Sequence, residues 1–391
     1  MKYICFAGGC FWGTEHYIRQ FEGVLETDTG YANGRIASPT YEQVYTDQTG
    51  FAECVKIGYD PEIISLRTLC RLFFRSIDPL ALNRQGEDCG TRYRTGIYWT
   101  DEAEIADIEA VYHEVQNRHD KPLAVEKCRL ECFYPAEQYH QDYLINNPDG
   151  YCHLSLQTLA FARTYSQIHK ALRESSRPEK RAILSSFFKT GKGQYGEGDR
   201  FMGVTVPDTR SIARRFVSCS FDVLEALLES EWHENRLCAL LILREKYKTM
   251  PDAVVDFYLQ HTEGINNWDL VDQSAPYILG DYLVRTSDRE LLYRLAASPV
   301  MWENRIAIVS TLMLIRNNQF DDTMKLAEIM MSHPHDLMHK SIGWMLREVG
   351  KRNEGLLKDF LYRYSKAIPR TTLRYAIEKF PEAVRKEFMR L

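Results

Sequence analysis

Hydrophobic and polar positions along this chain follow two regimes. Over residues 1–155, short apolar runs alternate with segments of helical spacing. "KYICFA" and "CVKIGYD" are rich in β-branched and aromatic residues and read as strands, as does "AVEKCRLECFYPA". "WGTEHYIRQF", "SLRTLCRLFFRSI" and "DEAEIADIEAVYHEVQNR" carry apolar residues three and four apart and read as amphipathic helices. Gly and Pro between them mark loops. This half of the pattern predicts an α+β domain.

Near residue 159 the alternation stops. Helical spacing then recurs over 159–174, 178–189, 208–217, 221–230, 233–249, 251–262 and 267–285, and again over 288–297, 301–316, 321–332, 335–350, 353–366 and 369–379. Paired helices at a period of roughly 40 residues point to an all-α solenoid of HEAT-like repeats. The chain therefore divides into two domains, 1–155 and 160–391. "GKGQYG" at Gly191, Gly193 and Gly196 matches a dinucleotide fingerprint in letters only. That fingerprint needs a strand before it and a helix opening at once. Here a helix precedes and an extended stretch follows, so an ordinary inter-repeat loop is the better reading.

Charge separates the same two parts. The whole chain carries −5, but residues 156–391 carry +5 and the preceding residues −10. A basic excess permits nucleic-acid binding without establishing it. No apolar run approaches the roughly 20 residues of a membrane helix, so no membrane partner is expected. The stretch "FAGGC" has no basic segment and sustained apolar run before it, as a signal peptide would, so a cytoplasmic location is expected.

Eight of the ten cysteines precede residue 155, which places any thiol chemistry there. In a large cytosolic chain a singled-out cysteine is catalytic or buried more often than disulfide-bonded. Cys10 lies between Gly8-Gly9 and Phe11-Trp12, where a strand pattern passes into a helical one. A thiol at a helix N-terminus should have a lowered pKa. Glu53 interrupts an apolar strand, where burial would keep its carboxyl protonated near neutrality. Tyr41, Asp88 and Tyr93 add polar groups from loops. Cys152 ends "NPDGYC", a Gly-containing tail suited to resolving an oxidised cysteine. Cys128 and Cys132 have no second ligand pair nearby, so no metal is expected.

Together "GGCFWGTE", "GFAE", "QGEDCGTRYR" and "NPDGYC" resemble the A-type peptide methionine sulfoxide reductases across residues 1–153. The resemblance implies a mixed sheet with flanking helices and a site without bound cofactor or metal. It assigns Cys10 as nucleophile, Phe11 and Trp12 as the pocket for the substrate methyl, and Glu53 as proton donor. Tyr41 and Tyr93 would hydrogen-bond the sulfoxide oxygen, Asp88 would shape the site, and Cys152 would resolve. The implied substrates are methionine S-sulfoxide in oxidised proteins and peptides and as the free amino acid, with thioredoxin or another dithiol as reductant. Phe51 and Arg92 stand where family members often have His and Gln. No further recycling cysteine follows Cys152 closely.

In the helical part, Trp268 and Asp272 are four apart and share a helix face. An aromatic and a carboxylate on a concave surface can hold a cation. Arg305 falls on a neighbouring repeat. "FMGVTVPDTR", "WDLVDQSAPYILGDYL", "MWENRIAI" and "KSIGWMLREVGK" resemble HEAT-like-repeat DNA glycosylases of the alkylation repair family. That resemblance assigns Trp268, Asp272 and Trp344 to the lesion-facing surface and Arg305 to the DNA backbone. The alternative is a solenoid that binds DNA or protein without catalysis.

Overall fold

The computed structural model describes residues 1–390 and forms two compact units, Met1–Ala171 and Leu172–Leu391. The first unit is built on eight strands. They are β1 (Lys2–Gly8), β2 (Val24–Ala32), β3 (Ala52–Tyr59), β4 (Arg84–Gln85), β5 (Asp88–Cys89), β6 (Thr95–Trp99), β7 (Glu126–Arg129) and β8 (Phe133–Pro135). Six make one mixed sheet in the order β7-β6-β1-β3-β2-β8, antiparallel except for β6 with β7, while β4 and β5 pair separately. Helices α1 (Phe11–Ile18), α2 (Tyr41–Tyr45), α3 (Leu66–Phe74), α4 (Ile105–Gln116), α5 (Tyr143–Asn146) and α6 (Leu156–Glu174) complete it.

The stretch expected as one strand over 124–136 is two. β7 joins one edge of the sheet and β8 the other, with only Leu130, Glu131 and Cys132 between them. Three residues span about 10 Å at full extension. The edges of a flat six-stranded sheet lie roughly 24 Å apart. The sheet must therefore curl until its edges nearly meet, and Asn33 bridges the gap. Its side chain donates to the Arg129 carbonyl (3.2 Å) and accepts from Glu131 N (2.8 Å). The curl leaves little room inside, and most of the side chains there are small. Cys5, Ala7, Ala32, Ala52 and Cys54 fill it with Tyr98, and Cys128 packs against them. Three cysteines are thus space-filling groups.

The opposite face of β1 and β3 carries the alternate residues. Phe6 stacks on Phe73 of α3 at 4.5 Å. The same alternation sends Glu53 towards α1. The first part of α6 belongs to this unit, because Tyr165 (4 % exposed) meets Phe21 edge-on at 5.9 Å. The division between units falls within α6, after Ala171, rather than before it.

The second unit is all helical: α7 (Pro178–Phe187), α8 (Val206–Arg215), α9 (Phe221–Leu228), α10 (His233–Lys246), α11 (Pro251–Gln260), α12 (Trp268–Ser274) and α13 (Asp281–Arg285). They are followed by α14 (Glu290–Ala296), α15 (Met301–Arg316), α16 (Asp321–Ile329), α17 (Asp336–Gly350), α18 (Glu354–Arg363), α19 (Arg370–Ala376) and α20 (Glu382–Arg390). Each segment with helical spacing is a helix, and α20 is additional. One layer runs α8–α10–α12–α15–α17–α19, each packed on the next. The segment expected as a single helix over 267–285 is interrupted by a π-turn at Pro276–Gly280. Pro276 has no N–H for the Asp272 carbonyl four residues back, and Gly280 N instead bonds Ala275 O at 2.8 Å. Among the described residues, no helix is long and apolar enough to cross a membrane.

The Phe21 ring is fully enclosed between Tyr17 and Tyr165. Phe21→Ala should destabilise the first unit by about 3 kcal/mol. Denaturant unfolding of the variant against the parent measures this, and an unchanged midpoint would refute the packing role given to α6.

Candidate functional site

Cys10 is the residue immediately before α1, with extended backbone (φ −61, ψ 123). It reaches this position through Gly9, whose φ of +83 suits glycine and where a Cβ would meet the Gln85 side chain at 2.6 Å. Gly9 thus makes room for Gln85. Gln85 in turn exchanges two 2.9 Å hydrogen bonds with the Asp78 backbone and fixes the loop that leads to Asp88.

Cys10 is only 5 % exposed. Burial first, then the Glu53 charge, raise its pKa well above the ordinary thiol range, although the Trp12 and Gly13 amides oppose the rise. The expectation of a lowered pKa is therefore corrected. The helix amides are present, but desolvation outweighs them. Glu53 is itself buried, and burial pushes its carboxyl up to about 8 against the pull of the Phe11 amide and the Arg92 guanidinium. Phe11 N donates to its Oε2 at 3.1 Å. At neutral pH the site thus holds a protonated carboxyl beside a protonated thiol. Tyr41 and Tyr93 both sense the Glu53 charge, and burial followed by that charge lifts Tyr41 to about 12.

The aromatic wall is assembled by residues sequence reasoning did not single out. Trp12 stacks on Tyr143 at 3.7 Å and donates its indole N–H to His140 Nδ1 at 3.1 Å. The His140 ring also lies against Phe11 (5.1 Å) and Tyr41 (4.7 Å). Glu137 accepts from Tyr31 OH (2.7 Å) and from Tyr41 N (2.8 Å), tying two tyrosines to the same carboxylate. Only the clustering of Tyr, His and Gln in "EQYHQDY" could have flagged them. Arg92 is salt-bridged to Asp47 at 2.6 Å and lies over the rings of Tyr45 and Tyr93.

Asp88 and the tail complete the site. Asp88 Oδ2 accepts from Tyr151 OH at 3.0 Å. Cys152 is half-buried, and burial raises its thiol pKa. Its Sγ stands 3.3 Å from where a Gly13 Cβ would be, one helical turn beyond Cys10. All ten cysteines are free thiols. Cys10, Asp88 and His153 gather a sulfur, an oxygen and a nitrogen within 4.8 Å of one another. The structure thus brings Cys10, Phe11, Trp12, Tyr41, Glu53, Asp88, Tyr93 and Cys152 to one place from five separate segments.

In the second unit a cavity of about 1100 Å³ is lined by Trp268, Asp272, Arg305 and Trp344, with Phe187, Tyr195 and Tyr375 adding further aromatic wall. Trp268 stacks on Phe188 at 5.3 Å, and Asn267 caps the helix that begins with it. Arg305 is 5 % exposed. It grips Asp272 with two bonds (3.1 and 2.9 Å) and donates a third to the Leu337 carbonyl (2.7 Å). Arg305 therefore orients Asp272, and three of its N–H groups are engaged within the protein. Burial raises the Asp272 pKa, opposed by Arg305. Tyr195, from the Gly-rich loop read as an ordinary connection, lines the cavity and meets Trp302 and His335 edge-on.

Behind Trp268, His233 sits between Asp269 (2.8 Å) and Asp199 (3.3 Å), and Arg236 binds Asp199 at 2.6 Å. Burial would lower the His233 pKa. The two carboxylates prevail and lift it to about 9.

Comparisons with known proteins fit this division. The peptide methionine sulfoxide reductase family matches residues 2–171, and the DNA alkylation repair enzyme family matches residues 168–380. Peptide methionine sulfoxide reductase MsrA of Clostridium perfringens is 49 % identical over 156 residues, 40 % of this chain and 99 % of that protein. Mxr1 of Saccharomyces cerevisiae in its reduced form is 38 % identical, covering 40 % of this chain and 91 % of that one, with a TM-score of 0.38. A predicted DNA alkylation repair enzyme from Enterococcus faecalis is 17 % identical over 53 % of this chain and 98 % of that one, with a TM-score of 0.45. The chain belongs to the peptide methionine sulfoxide reductase family through its first unit and to the DNA alkylation repair enzyme family through its second.

The His233 assignment fixes a pH dependence. Its folded pKa lies above the ordinary histidine value of about 6.5, so the protonated form favours folding. This contribution is whole below pH 6.5 and disappears as the pH rises through about 9. It amounts to on the order of 3 kcal/mol. Thermal unfolding of the second unit should weaken between pH 7 and 10, and His233→Gln should flatten that decline. Equal slopes for the two chains would exclude a protonated His233.

Proposed function

We propose that this chain is a two-headed repair protein. Its first unit reduces methionine S-sulfoxide, in proteins or free, and its second unit removes alkylated purines from DNA. The observation that carries the first half is a protonated, buried Glu53 beside the Cys10 thiol. A sulfoxide oxygen leaves sulfur only if it is protonated. Phe11 and Trp12 receive the substrate methyl. Cys10 sulfur attacks the sulfoxide sulfur as Glu53 delivers its proton to the oxygen, with Tyr41 and Tyr93 hydrogen-bonding that oxygen. The protonated oxygen passes from the methionine sulfur to the Cys10 sulfur as the transient S–S bond breaks, so methionine departs reduced, Cys10 is left as a sulfenic acid, and the proton lost from the thiol restores Glu53. Asp88 holds the tail through Tyr151. Cys152 then closes a disulfide onto Cys10, and thioredoxin or a similar dithiol reopens it by exchange. No bound cofactor is needed.

Glu53→Gln should lower sulfoxide reduction by about 10²-fold or more. In the parent chain the sulfoxide-reducing step should weaken as the pH rises through about 8, where Glu53 loses its proton. Rapid-quench measurement of methionine release tests both, and a Glu53→Gln chain with undiminished release would sink the mechanism. Cys10→Ser should release none, and Cys152→Ser one equivalent per chain.

For the second unit, the supporting observation is a cavity that joins Trp268, Trp344 and the Arg305-held carboxylate of Asp272. An alkylated purine is cationic, and aromatic faces attract it. The carboxylate would stabilise the positive sugar left as the glycosidic bond breaks, and would orient water. Lys189 borders the cavity and offers charge to phosphates, which makes binding sensitive to salt. The full chain should release alkylated purine from methylated DNA, and Asp272→Asn should slow release by about 10²-fold while leaving DNA affinity nearly intact. DNA binding with no base release by the parent would instead identify a binding module.

A further inference from the structure

His153 follows Cys152 directly, and nothing in the scheme above uses it. Its Nε2 lies 3.0 Å from the Gly8 carbonyl. A carbonyl only accepts, so Nε2 carries the ring proton and Nδ1 bears the lone pair. Nδ1 is buried and has no hydrogen-bond partner. It is a base aimed into the protein with nothing yet to receive from. What it faces is specific. Nδ1 stands 2.6 Å and Cys152 Sγ 3.3 Å from the one point that a Gly13 Cβ would occupy. A ring nitrogen of His153 also lies within 4.8 Å of Cys10 Sγ. Only glycine at position 13 leaves this space open, and what borders it is the Cys152 thiol and the Nδ1–Cε1 edge of the His153 ring. Burial holds the imidazole below its ordinary pKa, so the ring is neutral, and holds the Cys152 thiol above its own.

We infer that His153 is a further catalytic residue: its Nδ1 removes the Cys152 thiol proton and returns it to the hydroxyl that leaves Cys10 as the disulfide closes. The inference rests on the roles proposed above for Cys10 and Cys152. In the step, the Cys152 sulfur forms a bond to the Cys10 sulfur and the Cys10 S–O bond breaks. The departing hydroxide takes the proton from Nδ1 and leaves as water. The sulfenic sulfur is reduced, the Cys152 sulfur is oxidised, and His153 ends neutral. Anchoring by Gly8 fixes the tautomer this requires.

The test is a single turnover of the full-length chain with a methionine S-sulfoxide peptide, reading methionine release and Cys10–Cys152 disulfide separately. His153→Gln keeps a side-chain N–H for the Gly8 carbonyl and lacks the base. It should slow disulfide closure about 10²-fold relative to methionine release. The Cys10 sulfenic acid should then accumulate and be trapped by dimedone. Added imidazole should restore closure in His153→Ala. Normal closure in His153→Gln would show that the ring only anchors the tail, and would overturn the inference. So would slow closure in His153→Ala that imidazole leaves unchanged. A parent chain that releases methionine without closing the disulfide would overturn the Cys152 relay and His153's part together, and the parent control separates that failure from the others.

Discussion

Everything in the first unit turns on one buried carboxyl. Glu53 projects from a central strand into a buried site, with a single backbone N–H from Phe11 as its direct partner. Its nearest full positive charge, Arg92, is engaged by Asp47. A carboxyl so placed keeps its proton past neutrality because the charged form has lost its hydration and gained little in return. The same bond ties β3 to the start of α1, so the group that carries the proton also fixes the helix that presents Cys10. The curl of the sheet makes this possible. It commits one face of β1 and β3 to small residues and leaves the other for α1, α3 and Glu53.

The second unit gives its buried carboxylate a different partner. Asp272 receives a bidentate guanidinium from Arg305, and its helix is widened just afterwards because Pro276 cannot continue the hydrogen-bond ladder. One carboxyl keeps its proton past neutrality. The other also has its pKa raised by burial, against the pull of Arg305, and is held at fixed orientation on a wall of aromatic rings. The contrast follows from the partner supplied: one amide in the first case, one Arg in the second.

Much of this was legible in the sequence, for identifiable reasons. The solenoid helices have long periodic faces, and each segment with that spacing is a helix. β2 was missed because its first half faces solvent through Glu26 and Asp28 and shows no apolar alternation. The break between β7 and β8 has no local signal, since strand-forming residues continue across it and only the far edge of the sheet decides where the chain goes. Cys10, Glu53 and Cys152 stood out by chemistry against their surroundings. His140 and His153 did not, because their roles depend on which ring nitrogen finds a partner. Arg305 was visible as a charge on the right helix, but only the fold shows that its charge is spent on Asp272. The Cys10 pKa was misjudged because a helix terminus can be read from letters and the degree of desolvation cannot.

That desolvation has a consequence outside the catalytic cycle. Peroxides and electrophiles are attacked by thiolates far faster than by thiols. An exposed, acidic cysteine would be consumed by the same oxidants that create the damage to be repaired. Cys10 is kept protonated by burial, while Cys5, Cys54 and Cys128 are packed within the curled sheet. On the mechanism proposed above, reactivity is thereby reserved for a ligand that brings its own methyl into the aromatic wall and its own oxygen to Glu53. On that mechanism the fold makes the nucleophile selective by leaving it unreactive until such a ligand arrives.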